Sequence, residues 1–122
     1  MINDVNLDDL VQSNAYYRIN FANESTGSFM GDDPKNRLYV AVSNLGNMYN
    51  VKDYTIRKLS YGEDLYQLDI VFGGEVDLTL FELTEIIEQK SKYHGVDLKF
   101  RDIKILEEKD LNPIGVDRKS VV

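Results

Sequence analysis

The sequence predicts an α+β domain in which an antiparallel sheet of four to five strands carries one amphipathic helix on one face. Two observations lead to this prediction. Several runs of alternating apolar and polar residues follow one another with short links, which is typical of antiparallel strands. One segment, about 80–93, instead repeats its apolar residues every three to four positions, as a helix packed on a sheet does.

A short N-terminal helical turn is predicted at 6–11, before the first strand. Asn6 is a suitable N-cap, and Asp8 and Asp9 suit the positive end of a helix dipole. The first strand is predicted at 15–23, where aromatic and aliphatic residues alternate with polar ones.

Three further strands are predicted at 37–44, 52–60 and 65–72, each from the same alternation. Turn-forming residues at 24–37 predict a loop before the second strand. The segment 61–64 predicts a hairpin connection between the third and fourth strands.

Signals at both ends define the predicted helix. Thr79 and Glu82 have the spacing of a capping box, and Gly95 lies where a helix commonly ends in a left-handed residue. Glutamates come early and lysines late, as the helix dipole favours. The predicted inward stripe consists of Leu80, Leu83, Ile86, Ile87 and Tyr93.

The last strand is predicted at about 96–106, with a bulge near Arg101 and Asp102. The bulge is needed because the apolar phase shifts between Phe100 and Ile103.

The chain is therefore predicted to form one globular domain over 1–106. The remainder, 107–122, is charged and interrupted by Pro113 and Gly115, which predicts an extended or partly ordered tail.

The composition of the 122-residue chain argues against several classes of protein. There is no cysteine, no apolar run that could span a bilayer and no signal-peptide pattern, so we expect a cytoplasmic protein without membrane contact. The formal net charge is −7 and the basic residues are scattered, which makes nucleic acid an unlikely partner.

No arrangement of residues typical of catalysis or metal binding occurs in the sequence. The single histidine, His94, is interpreted as a cation at the helix C-terminus. Asp32 and Asp33 are interpreted as turn residues. We therefore expect no metal, no cofactor and no enzymatic activity, with a carboxylate-based enzyme as the remaining alternative.

The sheet face opposite the helix is the predicted partner-binding surface. Tyrosine and arginine, which interfaces favour at their energetic centres, fall on the polar phase of several strands. The side chains predicted on this face are Tyr16, Arg18, Asn20, Tyr39, Ser43, Thr55, Arg57, Gln67 and Asp69.

These observations favour a non-catalytic module that binds a protein partner, for example an inhibitor or immunity-type protein. The alternative is a self-assembling subunit of a homo-oligomer or particle, because an exposed edge strand can pair between copies. A phage or mobile-element source is a further hypothesis, based only on the size and acidity of the chain.

Overall fold

The computed structural model describes residues 5–24, 33–61, 63–93 and 95–107. Within them the chain forms four strands and two helices. Their order is β1 (Tyr16–Asn23), α1 (Pro34–Gly46), β2 (Val51–Tyr61), β3 (Glu63–Phe72), α2 (Leu80–Lys92) and β4 (Leu98–Leu106).

The four strands form one antiparallel sheet in the order β2-β3-β1-β4, which confirms the predicted α+β class. The order β-α-β-β-α-β is that of the ferredoxin-like, or split βαβ, motif. Both helices bury their apolar residues in one core with Tyr17, Ile19 and Phe21 of β1 and with Leu68 and Ile70 of β3. The other face of the sheet, called the helix-free face below, carries no described helix.

The predicted strand at 37–44 is wrong, because this segment belongs to helix α1. Asp33 is the N-cap and accepts a hydrogen bond from the Lys35 N–H at 3.1 Å, and Pro34 begins the helix. The buried residues recur at helical spacing and are Arg37, Leu38, Ala41, Val42 and Leu45. Packing of this stripe in the core overrides the strand preference of the valines.

The predicted helix at 80–93 is confirmed as α2. The Glu82 N–H donates to Thr79 Oγ1 at 3.1 Å, and the Thr79 N–H donates to Glu82 Oε1 at 2.9 Å, so both bonds of the capping box are present. Gly95 has a φ of 83°, the left-handed conformation expected after a helix.

The predicted bulge in the last strand is also confirmed. Phe100 pairs with Phe21 and Asp102 pairs with Asn20, so Arg101 is the extra residue on β4. The shift keeps the apolar residues on both sides of the bulge on the core face of the sheet.

Three predictions concern the ends of the chain and the loops. Asp9 N–H donates to the Asn6 carbonyl at 3.0 Å and closes a turn, but the predicted helical turn at 6–11 is not confirmed. Apart from Glu107, the predicted tail lies outside the described residues. Asp32 and His94 lie outside them too.

Candidate functional site

The helix-free face brings together seven of the nine predicted surface residues. In the strand register, Arg18 lies opposite Asp69, and Asn20 lies opposite Gln67. On the other side of β3, Thr55 and Arg57 of β2 extend the same two rows. Tyr16 lies at the start of β1 on this face.

Tyr39 and Ser43 do not belong to this surface, which corrects the prediction for both residues. They lie on α1, on the opposite side of the sheet, because the segment that carries them is helical. Tyr39 packs edge-on against Tyr54 of β2, with 6.0 Å between the ring centroids.

The polar groups on the helix-free face largely bind one another. Arg18 holds Asp69 through two parallel hydrogen bonds of 2.8 Å, from Nε to Oδ1 and from Nη2 to Oδ2. Gln67 Nε2 donates to Asn20 Oδ1 at 3.1 Å, and Asn20 Nδ2 donates to Asp102 Oδ1 at 2.8 Å. Asp69 is only 4% exposed. A partner would therefore find much of this face already hydrogen-bonded and partly buried.

The same face lacks the features of a nucleobase-stacking sheet. Tyr16 is the one aromatic residue among the side chains described there, whereas single-stranded RNA is bound by several stacked aromatic rings. The face also carries acidic groups at Asp69 and Asp102.

A second polar cluster lies where β2 and β3 meet. Asn23 Nδ2 donates to Asp64 Oδ2 at 2.8 Å, and Lys58 Nζ lies 3.5 Å from Asp64 Oδ1. Burial raises the pKa of Asp64, but hydrogen bonds from Asn23 and Tyr66 and the nearby charge of Lys58 together bring this pKa below its usual value.

The neighbouring Tyr66 completes this cluster. Burial, followed by the hydrogen bond and charge of Asp64 and the charge of Asp33, raises the pKa of Tyr66 to about 12. At neutral pH the carboxylate is therefore ionised and the phenol protonated. Neither group titrates near neutral pH, where a general acid or base works best.

A groove between α1 and α2, called the interhelical groove below, offers a different kind of site. Its larger part has a volume of about 450 Å³ and an adjoining part about 240 Å³. The two parts share Asn44, Ile86 and Lys90. The remaining lining residues are Gln89 and Tyr93 in the larger part, and Leu45, Asn47, Met48 and Tyr49 in the smaller part.

The interhelical groove carries two large apolar side chains that are strongly exposed. Tyr93 is 85% exposed and Met48 is 73% exposed. Lys90 is exposed and makes no hydrogen bond or ion pair with any of the described residues. The described lining of the groove thus combines apolar surface with the positive charge of Lys90.

Sequence reasoning missed this groove for two reasons. Tyr93 was predicted to point into the core, but α2 ends at Lys92 and Tyr93 is its exposed C-cap residue. The residues from Asn44 to Tyr49 follow the segment predicted as a strand, so no second helix was available to form the other wall. The one sequence signal for the groove was an apolar residue, Met48, within a run of turn-forming residues.

The described part of the chain contains no group of three or more histidine, aspartate or glutamate side chains that could hold a metal ion. Neither α1 nor α2 is long and apolar enough to cross a membrane. No protein-family model, curated protein or solved structure matches this chain. A functional assignment therefore has to start from the surfaces described above.

Proposed function

We propose that the protein is a non-catalytic module that binds a protein partner in the interhelical groove. The exposure of Tyr93 and Met48 beside the half-buried Ile86 is the observation that carries this proposal. Aromatic residues and methionine are enriched at protein interfaces, and tyrosine is frequent among the residues that contribute most binding energy.

The lining of the groove indicates the chemistry of the partner. A volume of about 450 Å³ can hold one or two apolar side chains, and the apolar lining favours such groups over charged ones. The Lys90 ammonium, which has no described partner, is complementary to a carboxylate. We therefore propose a partner segment with an apolar side chain next to an acidic group. Binding of this kind would act as inhibition if the segment belongs to the partner's own functional site.

Partner capture with matched variants tests this function. The wild type, Tyr93→Ser and Phe81→Ser are immobilised and exposed to a lysate of the source cells; Phe81 is a suitable control because it is also exposed on α2 but does not line the groove. A captured protein is then purified and its affinity measured by calorimetry. We expect Tyr93→Ser to weaken binding by about 30-fold or more, as for an interface residue worth about 2 kcal/mol.

The control decides how the result is read. Phe81→Ser should bind like the wild type. If Tyr93→Ser and the wild type bind the purified partner equally well, the groove is not the binding site and the proposal fails.

A second candidate function is self-assembly, which the outer edge of β2 favours. Tyr54, Thr55 and Arg57 are all exposed along this edge strand. An edge strand presents unpaired backbone groups that another strand can use.

A further inference from the structure

The two edges of the sheet differ in how well they are protected against pairing. β4 is interrupted by the bulge at Arg101, and the Phe100 N–H donates to Glu88 Oε2 of α2 at 2.6 Å. Bulges and covering helices are devices that block edge pairing. β2 has its irregularity at Lys52, near its first residue, and pairs regularly with β3 from Asp53 onward.

Lysines on β2 do not protect its edge in the usual way. An edge lysine discourages pairing when its charge projects toward an approaching strand. Here Lys52 Nζ donates to Asn14 Oδ1 at 3.2 Å. Lys58 Nζ lies 3.5 Å from Asp64 Oδ1 and 5.8 Å from the centre of the Tyr66 ring. Both ammonium groups are thus held by neighbouring groups of their own chain.

The backbone of β2 also has a donor that a partner strand could use. The Tyr54 N–H donates to Asp53 Oδ1, the side chain of the preceding residue, at 2.9 Å. Rotation of the Asp53 side chain would release this N–H for a carbonyl of another strand.

We propose that β2 pairs antiparallel with β2 of a second copy of this chain, with Thr55 on the two-fold axis. In this register Asp53 faces Arg57 of the second copy, Tyr54 faces Ile56, and the two Thr55 residues face each other. Opposite charges, an aromatic with a β-branched residue, and two threonines are favourable facing pairs in sheets. The observed strand register places both residues of each pair on the same face, with Tyr54 and Ile56 on the core side.

Neighbouring registers lack the Asp53–Arg57 ion pairs. An axis at Arg57 or at Asp53 places two like charges opposite each other. An axis at Ile56 places Asp53 opposite Leu59. The register with Thr55 on the axis also places Lys52 opposite Lys58 of the second copy, but Asn14 and Asp64 of their own chains hold the two ammonium groups. It is the one of these registers in which Asp53 and Arg57 form ion pairs, once on each side of the axis. Arg57 is available for this, because it is exposed and has no hydrogen bond or ion pair with the described residues.

Such a contact closes after two copies. Each copy contributes the same strand, so the interface is isologous and uses up both β2 edges. The β4 edges remain protected by the bulge and by Glu88. The inference does not rest on the interhelical groove, which is formed by other residues.

Cysteine cross-linking tests the register directly. The chain has no cysteine, so a single one can be introduced without a background reaction. Facing residues of an antiparallel pair have Cα atoms about 4.5–5.5 Å apart, a separation that a disulfide spans. Under mild oxidation we expect Thr55→Cys to form a covalent dimer as its main product. Glu85→Cys, exposed on α2 beside β4 at the opposite edge of the sheet, is the control and should remain mainly monomeric.

Charge reversal tests the same contact without covalent chemistry. By light scattering, the wild type should reach twice the 14.0 kDa chain mass as concentration rises. At about 0.15 M salt, where the repulsion between net charges is largely screened, Asp53→Arg and Arg57→Asp should each raise the dimer dissociation constant at least tenfold, and the double reversal should restore it. Circular dichroism confirms that each variant is folded.

Two outcomes overturn the proposal. One is a wild type that stays monomeric at its highest soluble concentration while Thr55→Cys cross-links no faster than Glu85→Cys. The other is a dimer whose dissociation constant does not respond to either single charge reversal.

Discussion

At the scale of single residues, the pair of Arg18 and Asp69 is a structural feature of the sheet. Both hydrogen bonds are 2.8 Å long, and Asp69 is almost inaccessible while the Arg18 side chain is 21% exposed. Removal of the carboxylate would leave Arg18 without these bonds, although water can reach the guanidinium in part.

We expect Asp69→Ala to lower the free energy of unfolding by about 1.5–3 kcal/mol, the range for hydrogen bonds to charged groups. Urea titration measures the change. Glu85→Ala, an exposed substitution on α2 outside both proposed binding surfaces, is the control and should stay within about 0.5 kcal/mol of the wild type. Equal effects of the two substitutions would contradict a special role for the pair.

The raised pKa of Tyr66 leads to a prediction about the stability of the fold at alkaline pH. Its folded-state pKa is raised to about 12 from the ordinary value of 10.0, so the folded protein holds this proton more tightly than the unfolded chain. The stabilisation is complete below about pH 10 and is lost as pH rises from about 10 to 12, because the unfolded state ionises first.

Urea titrations at about pH 9 and about pH 11 should therefore show a larger loss of stability in the wild type than in Tyr66→Phe, which cannot ionise. Each protein is compared with itself at the two pH values. The pH-independent cost of losing the hydroxyl in Tyr66→Phe therefore cancels. Parallel losses in the two proteins would show that Tyr66 does not control this pH range.

At the scale of elements, the N-cap of α1 explains where this helix begins. Asp33 and Pro34 form a helix start, yet they were interpreted as turn residues in the sequence. The following run of leucine, valine and alanine fits either a strand or a buried helix, so its periodicity could not decide between them.

A cap substitution tests this account of α1. Asp33→Ala should lower the free energy of unfolding by about 0.5–2 kcal/mol, because the Lys35 N–H loses its acceptor. Asp33→Asn keeps an acceptor oxygen and should cost less. If thermal unfolding shows equal losses for both variants, the charge of Asp33 is more important than its capping bond.

The other elements could be predicted because each had an unambiguous local signal. Strict alternation defined β1 and β3, and the capping box with Gly95 defined α2. The same alternation placed seven of the nine surface residues on one face. It could not reveal that Arg18 and Asp69 bind each other, because strand order brings together residues from distant parts of the chain. The groove depends on α1 and α2 meeting, which is also a long-range contact.

At the scale of the whole molecule, the proposed β2 contact would leave both interhelical grooves available. The groove residues belong to α1, α2 and the segment after α1, whereas the contact uses residues 53–57 of β2. A dimer would therefore present two copies of the groove and gain avidity for a partner that carries two matching segments.

The net charge of −7 sets the expected salt dependence of this dimer. A chain of this length has a radius of gyration of about 14 Å, so the centres of the two copies in the dimer lie about 30 Å apart. Their mutual repulsion is then about 2–3 kcal/mol at 0.01 M salt and about 0.2 kcal/mol at 0.15 M. The two exposed Asp53–Arg57 ion pairs contribute only about 0.2–1 kcal/mol each. Because their charges are in contact, salt screens them less than it screens the repulsion between the net charges.

Relief of repulsion should therefore outweigh the weakening of the ion pairs. We expect the dimer to tighten by about tenfold or more between 0.01 M and 0.15 M salt, measured by sedimentation equilibrium. The Asp53→Arg, Arg57→Asp double variant keeps the same net charge and should show the same salt dependence. A dimer that loosens as salt rises would mean that local ion pairs, rather than the charge of the whole molecule, dominate the association.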